Sequence, residues 1–402
     1  MVEYNTEVKR LDTVIGKHWL HTGSLPTRFA INVLDLDITK RCNLRCVYCF
    51  KSDCVSPRED DMSLNVALTA IDWILLASMN ARDINVNLIG GEPLIAWKTI
   101  EKIVPYGKIK AAQHGKSIQF GTTTNLTLID ENIVSFAEKY GMGWHCSIDG
   151  VPEVQNDQRP RVGGKGSADL AERGAKLVLE SRPMACARST LKSTSISKMY
   201  ECYLYFIEIG FQNVAFAMAE EKDWQAEHFE ILEKELGKIT SYAIESYRAN
   251  KKVPLPYTYL VKFIVSGETR EYACGAGRGI VLVDPSGDLW PCHRFDGADL
   301  DSRSNGQWCF GNIYEPGFNH DLHTVFLQRT RQACWTRNCG DCEIRDLCAG
   351  GCPACNLTTT KSIYKKHPNL CRISKIYYRN AKRFHQTLTE EGNELFQEEF
   401  SE

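Results

Sequence analysis

Between residue 33 and about residue 220 the chain alternates six times between short runs rich in β-branched residues and longer amphipathic stretches. VLDLDIT (33–39), INVNLIG (84–90), SIQFGTTT (117–124), GMGWHCSI (141–148), PMACARSTL (183–191) and NVAFAMA (213–219) read as strands. LNVALTAIDWILLASM (64–79), after the cap-like Ser63, reads as a helix, as does the segment from Trp97 to about Gln113. Further helical stretches fall near 130–139, 167–181 and 196–209. Strand and helix in strict alternation predict an α/β fold with a parallel sheet, either open or curled into an incomplete barrel.

Unusual residues fall at the ends of these strands. CNLRCVYC (42–49) follows the first, GGEP (90–93) the second, TTN (123–125) the third and SIDG (147–150) the fourth. In βα barrels the loops after the strands open on one face, and working residues gather there. The four segments are therefore expected to converge on one site.

Charge and hydropathy exclude some functions. The formal net charge is -2, so no global basic field invites nucleic acid or an anionic membrane. MVEYNTEVKR at the N-terminus lacks the apolar core of a signal peptide, and IDWILLASM is too short to span a bilayer. A cytoplasmic location, with no membrane and no nucleic-acid partner, is the expectation. In a reducing compartment 17 cysteines, an odd number, do not suit a disulfide framework. Only Cys146, Cys186 and Cys202 fall between Cys54 and Cys274, and these three read as core residues. The others cluster near the N-terminus and in the last third, a grouping that suits metal binding.

The chain divides into an N-terminal arm (1–32), the alternating domain (33–222), a helical linker (223–272), a cysteine-rich region (273–375) and a C-terminal helix with an acidic, frayed tail (376–402). The cysteine-rich region has short strands, with a hairpin turn inside GIVLVDPSGDLWPC, and little core of its own. Metals are a natural staple for such a region.

TKRCNLRCVYCFK (39–51) places Cys42, Cys46 and Cys49 within eight residues. Three thiolates at this spacing can hold three corners of one cubane cluster and leave the fourth iron open to a small chelating molecule. A zinc knuckle with a distant fourth ligand, or stray disulfides, are the plainer readings. The pattern Cys-x3-Cys-x-aromatic-Cys, with the strand-end motifs, resembles radical S-adenosylmethionine (SAM) enzymes over residues 33 to about 220. That resemblance implies a partial (β/α)6 TIM-like barrel. It also implies a [4Fe–4S] cluster on Cys42, Cys46 and Cys49, with SAM at the open iron. Tyr48 would lie by the adenine, Gly90 and Gly91 would admit the methionine moiety, and Glu92 would take its ammonium group. Ser147 would contact the ribose, Arg159 would hold the SAM carboxylate, and Asn125 would sit near the cofactor or act as a strand-end cap. One electron from the cluster would cleave SAM into methionine and a 5′-deoxyadenosyl radical that abstracts a substrate hydrogen. A flavodoxin- or ferredoxin-type donor would supply the electron.

Cys339-x2-Cys342-x5-Cys348-x3-Cys352, followed by Cys371, resembles the SPASM extension of these enzymes, which carries two auxiliary iron–sulfur clusters. A zinc ribbon is the alternative. By the resemblance Cys339, Cys342, Cys348 and Cys371 hold one cluster, while Cys274, Cys292 and Cys352 ligate the other. Its fourth ligand is open among Cys309, Cys334, Cys355, His293 and none. Sulfatase maturases carry a further cysteine near the position of Ile280, and a catalytic aspartate where this chain has His293. His293 is accordingly the candidate base, with a hydrogen-bonding role as the alternative. The leading expectation is a maturase of ribosomally made peptides that forms a thioether or carbon–carbon cross-link or another oxidative modification. The alternatives are a formylglycine-generating sulfatase maturase and a non-catalytic, metal-stapled scaffold that binds peptides. About forty residues before Cys42 leave no room for a leader-binding domain, so a separate recognition protein would serve, or this arm.

Overall fold

A computed structural model describes residues 30–51, 61–219, 224–296, 306–315, 317–336 and 339–400. Nearly all of the arm, and Cys54, lie outside the described residues. Strands β1 (Val33–Thr39), β2 (Asp83–Gly90), β3 (Ser117–Thr124), β4 (Gly143–Ser147), β5 (Cys186–Leu191) and β6 (Asn213–Met218) pair side by side, all parallel, in chain order. The helices between them are α1 (Leu64–Ala77), α2 (Trp97–Gln113), α3 (Glu131–Tyr140), α4 (Pro152–Gln158), α5 (Ala168–Ser181) and α6 (Met199–Ile209). The Ser63 hydroxyl accepts from Val66 N (3.3 Å) and the Asp130 carboxylate from Ile133 N (2.9 Å), so each caps its helix.

The strands divide their side chains by alternation. On β3, Ile118, Phe120, Thr122 and Thr124 are buried on the helix side, where α2 packs so closely that a Cβ on Gly107 would fall 2.6 Å from Cζ of Phe120. The residues between them point to the opposite, helix-free face. That face is polar: β1 places Asp35 and Asp37 on it, β2 Asn87, β4 His145 and Ser147, and β5 Arg188.

The cysteine-rich region does not stand apart from this sheet. Its strand β7 (Ile280–Val283) lies parallel to β1 with Asp35 opposite Leu282, and β8 (Asp288–Trp290) and β9 (Gly311–Asn312) follow antiparallel. Among the described residues the sheet runs β6-β5-β4-β3-β2-β1-β7-β8-β9. β7 thereby satisfies the backbone of β1, which would otherwise be an open edge.

The linker forms α7 (Ala226–Arg248) and α8 (Thr258–Ser266), and the last third adds α9 (His320–Leu327), α10 (Pro353–Thr360) and the long α11 (Pro368–Glu390). Helix α7 packs on α11, and Thr240 and Asn380 pair across them at 2.9 Å. The expectation of a frayed acidic tail is corrected: residues Glu394–Phe400 form a further helix, α12. Glu394 and Glu398 face water and Glu399 accepts from Tyr247 OH (2.7 Å), while Phe396 and Phe400 are buried against Phe384 at ring separations of 5.8 and 6.5 Å. Among the described residues no helix is long and apolar enough to cross a membrane.

Candidate functional site

The loop after β1 carries Cys42, Cys46 and Cys49, and it docks on a segment more than a hundred residues downstream. Arg45 N donates to Pro160 O (2.7 Å), Val47 N to Gln158 O (3.0 Å) and Val162 N to Asn43 O (3.0 Å). This ladder ties the cysteine loop to the end of α4. The three thiols influence one another electrostatically, and burial pushes the Cys42 thiol up to about 12. Thiols in so dry a place gain most from ionising when a metal takes the charge. Among the described residues no group of three or more His, Cys, Asp or Glu side chains lies close enough together to hold a single metal ion.

Behind the loop runs GGEP. Gly91 N donates to Thr39 O (2.7 Å) and Glu92 N to Arg41 O (2.9 Å). A Cβ on Gly90 would fall 2.3 Å from Thr39 O, and one on Gly91 2.3 Å from Arg41 O. Only glycine lets these backbones touch. The glycines thus let the cysteine loop pack directly against the end of β2.

Glu92 is 1% exposed. Its carboxylate accepts from Leu94 N (3.2 Å), Thr124 Oγ1 (2.8 Å) and Asn125 N (2.7 Å). Burial nevertheless outweighs these donors and lifts the group to about 7. A carboxylate has about four acceptor positions, so one remains for a cationic ligand group. The side chain of Asn125 is engaged within the protein. Its Nδ2 donates to Asn43 Oδ1 (2.9 Å), and its Oδ1 accepts from Thr127 N (3.1 Å) and Thr127 Oγ1 (2.6 Å). It braces the cysteine loop through Asn43.

On the other flank Asp149 organises a buried network. Its carboxylate lies 3.0 Å from Nε of Arg159 and accepts from Tyr48 OH (2.6 Å), Gln158 Nε2 (2.8 Å) and Thr190 N (2.9 Å). The Arg159 Nε–H is poorly aligned, so the contact is an ion pair rather than a linear hydrogen bond. The guanidinium carbon sits 5.4 Å from the Tyr48 ring centroid, and Nη1 reaches to 4.0 Å from Cys46 Sγ. Though burial opposes it, the surrounding negative charge, Asp149 first, holds Arg159 firmly cationic. Ser147 ends β4 two residues before Asp149, half-buried on the helix-free face. Glu92 and Arg159 also influence each other electrostatically, so both flanks belong to one site.

The downstream thiols fall into two sets. Cys274, Cys292 and Cys352 interact electrostatically, and burial pushes the Cys292 thiol up. Lys366 Nζ donates to Cys348 Sγ (2.6 Å) and also engages Cys371, while its charge reaches Cys339. Cys342 is tied to Cys339 through its backbone N–H. Cys334, left open in the sequence, joins this second set through Cys348 and Cys339. Cys309 goes elsewhere: its thiol exchanges contacts with Gly311 N and O and faces Asp288 and Asp284. His293 points to β1, with Nδ1 3.3 Å from Asp35 Oδ2, and Asp35 Oδ1 accepts from Asn87 Nδ2 (2.8 Å).

Sequence reasoning missed Asp149, Asn43, Asp35 and the buried Lys51–Asp37 pair (2.8 Å). For Asp149 the signal was present, since it stands inside SIDG, the segment singled out for its serine. Of the three mid-chain cysteines, Cys146 and Cys202 are fully buried, and a Cβ on Gly150 would meet Cys202 Sγ at 2.1 Å. Cys186 corrects the expectation: it is only half-buried, because it lies on the helix-free face opposite His145.

Residues 36–186 match the radical SAM superfamily. A serine-type anaerobic sulfatase-maturating enzyme of Klebsiella aerogenes is 22% identical over 80% of this chain and 80% of its own length. The radical SAM cyclopropyl synthase TigE of Paramaledivibacter caminithermalis is 21% identical over 86% of this chain and 71% of its own. The solved structure of native anSMEcpe with bound AdoMet and Cp18Cys peptide superposes with a TM-score of 0.72 at 21% identity, covering 90% of this chain and 99% of that one, a likeness of fold.

Proposed function

We propose, from the premise that this chain belongs to the radical SAM superfamily and is an enzyme, that it is a SPASM-type maturase acting on a peptide. Its substrate would be a ribosomally made precursor, and its product would carry a cross-link or another oxidised side chain. The observation that carries the reading is the meeting of the three-cysteine loop with Glu92 on one flank and Arg159 on the other. A carboxylate acceptor, a cationic donor and an unmatched trio of thiols are what the ammonium, the carboxylate and the open iron of a SAM–cluster pair require.

Cys42, Cys46 and Cys49 would hold the cluster, and the second and third thiol sets would hold two auxiliary clusters. When bound, the cluster and SAM supply a hydrogen-abstracting radical. The protein's own work is positional. Glu92 offers its free acceptor position to the ammonium group, Arg159 aims at the carboxylate, and Ser147 faces the ribose. Tyr48 is pinned by Asp149 beside the adenine position. The cysteine-loop ladder and the two glycines fix the thiols before any ligand arrives.

Two observations support a peptide as substrate. The curated relatives include enzymes named for sulfatase maturation and for cyclopropane formation, and the superposed structure holds a peptide. The helix-free face of the sheet is open and polar in front of the site. Formylglycine formation is the second reading. It is favoured by Asp35, which places a carboxylate next to His293, where sulfatase maturases carry their own aspartate.

The test is anaerobic turnover with the candidate precursor, followed by mass spectrometry and an aldehyde-reactive probe. Loss of two hydrogens without aldehyde reactivity supports cross-linking, and an aldehyde supports formylglycine. Protein that binds no iron and yields no 5′-deoxyadenosine from SAM and a reductant would refute both.

A further inference from the structure

Arg188 stands in the middle of β5 on the helix-free face, with Ala187 and Ser189 buried behind it. Ser147 of β4 lies directly across from it on one side and Ala215 of β6 on the other. Arginine in the middle of a parallel strand is ordinarily paired, because two neighbouring strands crowd it. This one is exposed, and among the described residues no carboxylate or carbonyl accepts from its guanidinium. The site's carboxylates are engaged elsewhere, Asp149 with Arg159 and Asp35 with His293 and Asn87.

The surroundings keep Arg188 uncovered. Gly121 of β3 and Gly143 of β4 lie opposite each other on the same face, and Ala215 and Ala217 occupy it on β6. On β6 only the methyl groups of Ala215, directly across from the arginine, and Ala217 stand beside it. His145, which precedes Ser147 on this face, feels the charges of both Arg188 and Asp35, and its Nδ1 is buried with no partner. A forked cation, an idle imidazole nitrogen and a floor of small residues make a receptor for a planar anion.

We propose that Arg188, with His145 beside it, binds a carboxylate of the peptide substrate on the helix-free face of the sheet. The inference rests on the maturase reading and narrows it to peptides that bring an acidic side chain or a free C-terminus to the site. Arg188 is a substrate-positioning residue in this scheme: directly across from Ser147 on the neighbouring strand, it anchors the peptide close to the ribose position.

The test equilibrates anaerobically purified holoprotein with pools of short random peptides, N-acetylated and C-amidated, that fix either Glu or Gln at a central position. A further Gln pool keeps its free C-terminal carboxylate. The wild type should retain one carboxylate-bearing pool about tenfold better than the amidated Gln pool. Retention of the Glu pool assigns a side chain, and of the free-acid pool the terminus. Arg188→Gln should level the pools, and Arg188→Lys, which keeps the charge but loses the fork, should restore part of the preference. Iron content and circular dichroism report whether the variants fold. No preference in the wild type would overturn the proposal, as would a preference that survives in Arg188→Gln. Loss of SAM binding in Arg188→Gln would assign the arginine to the cofactor and equally overturn it. Failure of wild-type protein to cleave SAM would sink the maturase reading alone, since pool retention is measured without turnover.

Discussion

The Asp149 carboxylate and the Arg159 guanidinium meet at 3.0 Å in a buried pair that also holds Tyr48. Burying a pair is costly in itself, and the geometry here repays it with three further donors to the carboxylate. Removing one partner leaves the other charged and dry. Asp149→Ala should therefore lower unfolding stability by about 3–5 kcal/mol. It should also weaken SAM binding at least tenfold, because Arg159 loses its bearing. Denaturant titration and equilibrium dialysis read the two effects. An unchanged SAM affinity would separate Arg159 from the carboxylate-holding role.

Gly91→Ala tests the close approach of GGEP to the cysteine loop. The new methyl group would fall 2.3 Å from the carbonyl oxygen of Arg41, beside Cys42. Backbone must move, and the loop that carries the thiols is the part that can. The purified variant should lose the iron of the first site and keep that of the two downstream sets. Metal analysis with electron paramagnetic resonance distinguishes the sites. Full retention would mean that the loop tolerates displacement.

The downstream thiols allow a sharper contrast. Cys309 packs on Gly311 and faces two aspartates, whereas Cys274 shares its surroundings with Cys292 and Cys352. Cys309→Ala should keep its full iron content, and Cys274→Ala should lose the share of one cluster. Equal loss in both would bring Cys309 back as the missing ligand.

Local pattern carried the fold. β1 and β3 have the expected bounds, since both alternate cleanly. Helix α2 also runs from Trp97 to Gln113 as expected, although Pro105 lies inside it. What stayed hidden depends on distance along the chain. The ladder between residues 43–47 and 158–162 is made of backbone groups, which leave no trace in residue type. The union of β7 with β1 joins segments about 250 residues apart, and IVLV reads the same in a hairpin as at a sheet edge. The tail was misread because six glutamates and polar neighbours outweigh Phe396 and Phe400 in composition. A single apolar face is nevertheless enough to dock a short helix. Asp149 was passed over for a different reason: an acidic residue in a turn is ordinary until its cationic partner is known.

Glu92 provides a prediction in pH. In the protein without ligand, burial raises this carboxyl to about 7 from an ordinary value of 4.5. Its charged form is therefore disfavoured in the fold. The sign follows: the folded state holds its proton longer than the unfolded chain, so stability falls as pH rises from about 4.5 to 7. The change amounts to about 3 kcal/mol and is complete above that range. Binding runs the other way. An ammonium group requires the ionised carboxylate, so below about pH 7 the ligand must first displace a proton. SAM affinity should then weaken by nearly tenfold per pH unit on the acid side. Glu92→Gln should bind SAM more weakly and show no such slope, because an amide does not titrate there. Isothermal titration in two buffers of different ionisation enthalpy would count the proton released by the wild type below neutrality. A flat affinity across this range, with no proton released, would take Glu92 out of ammonium recognition.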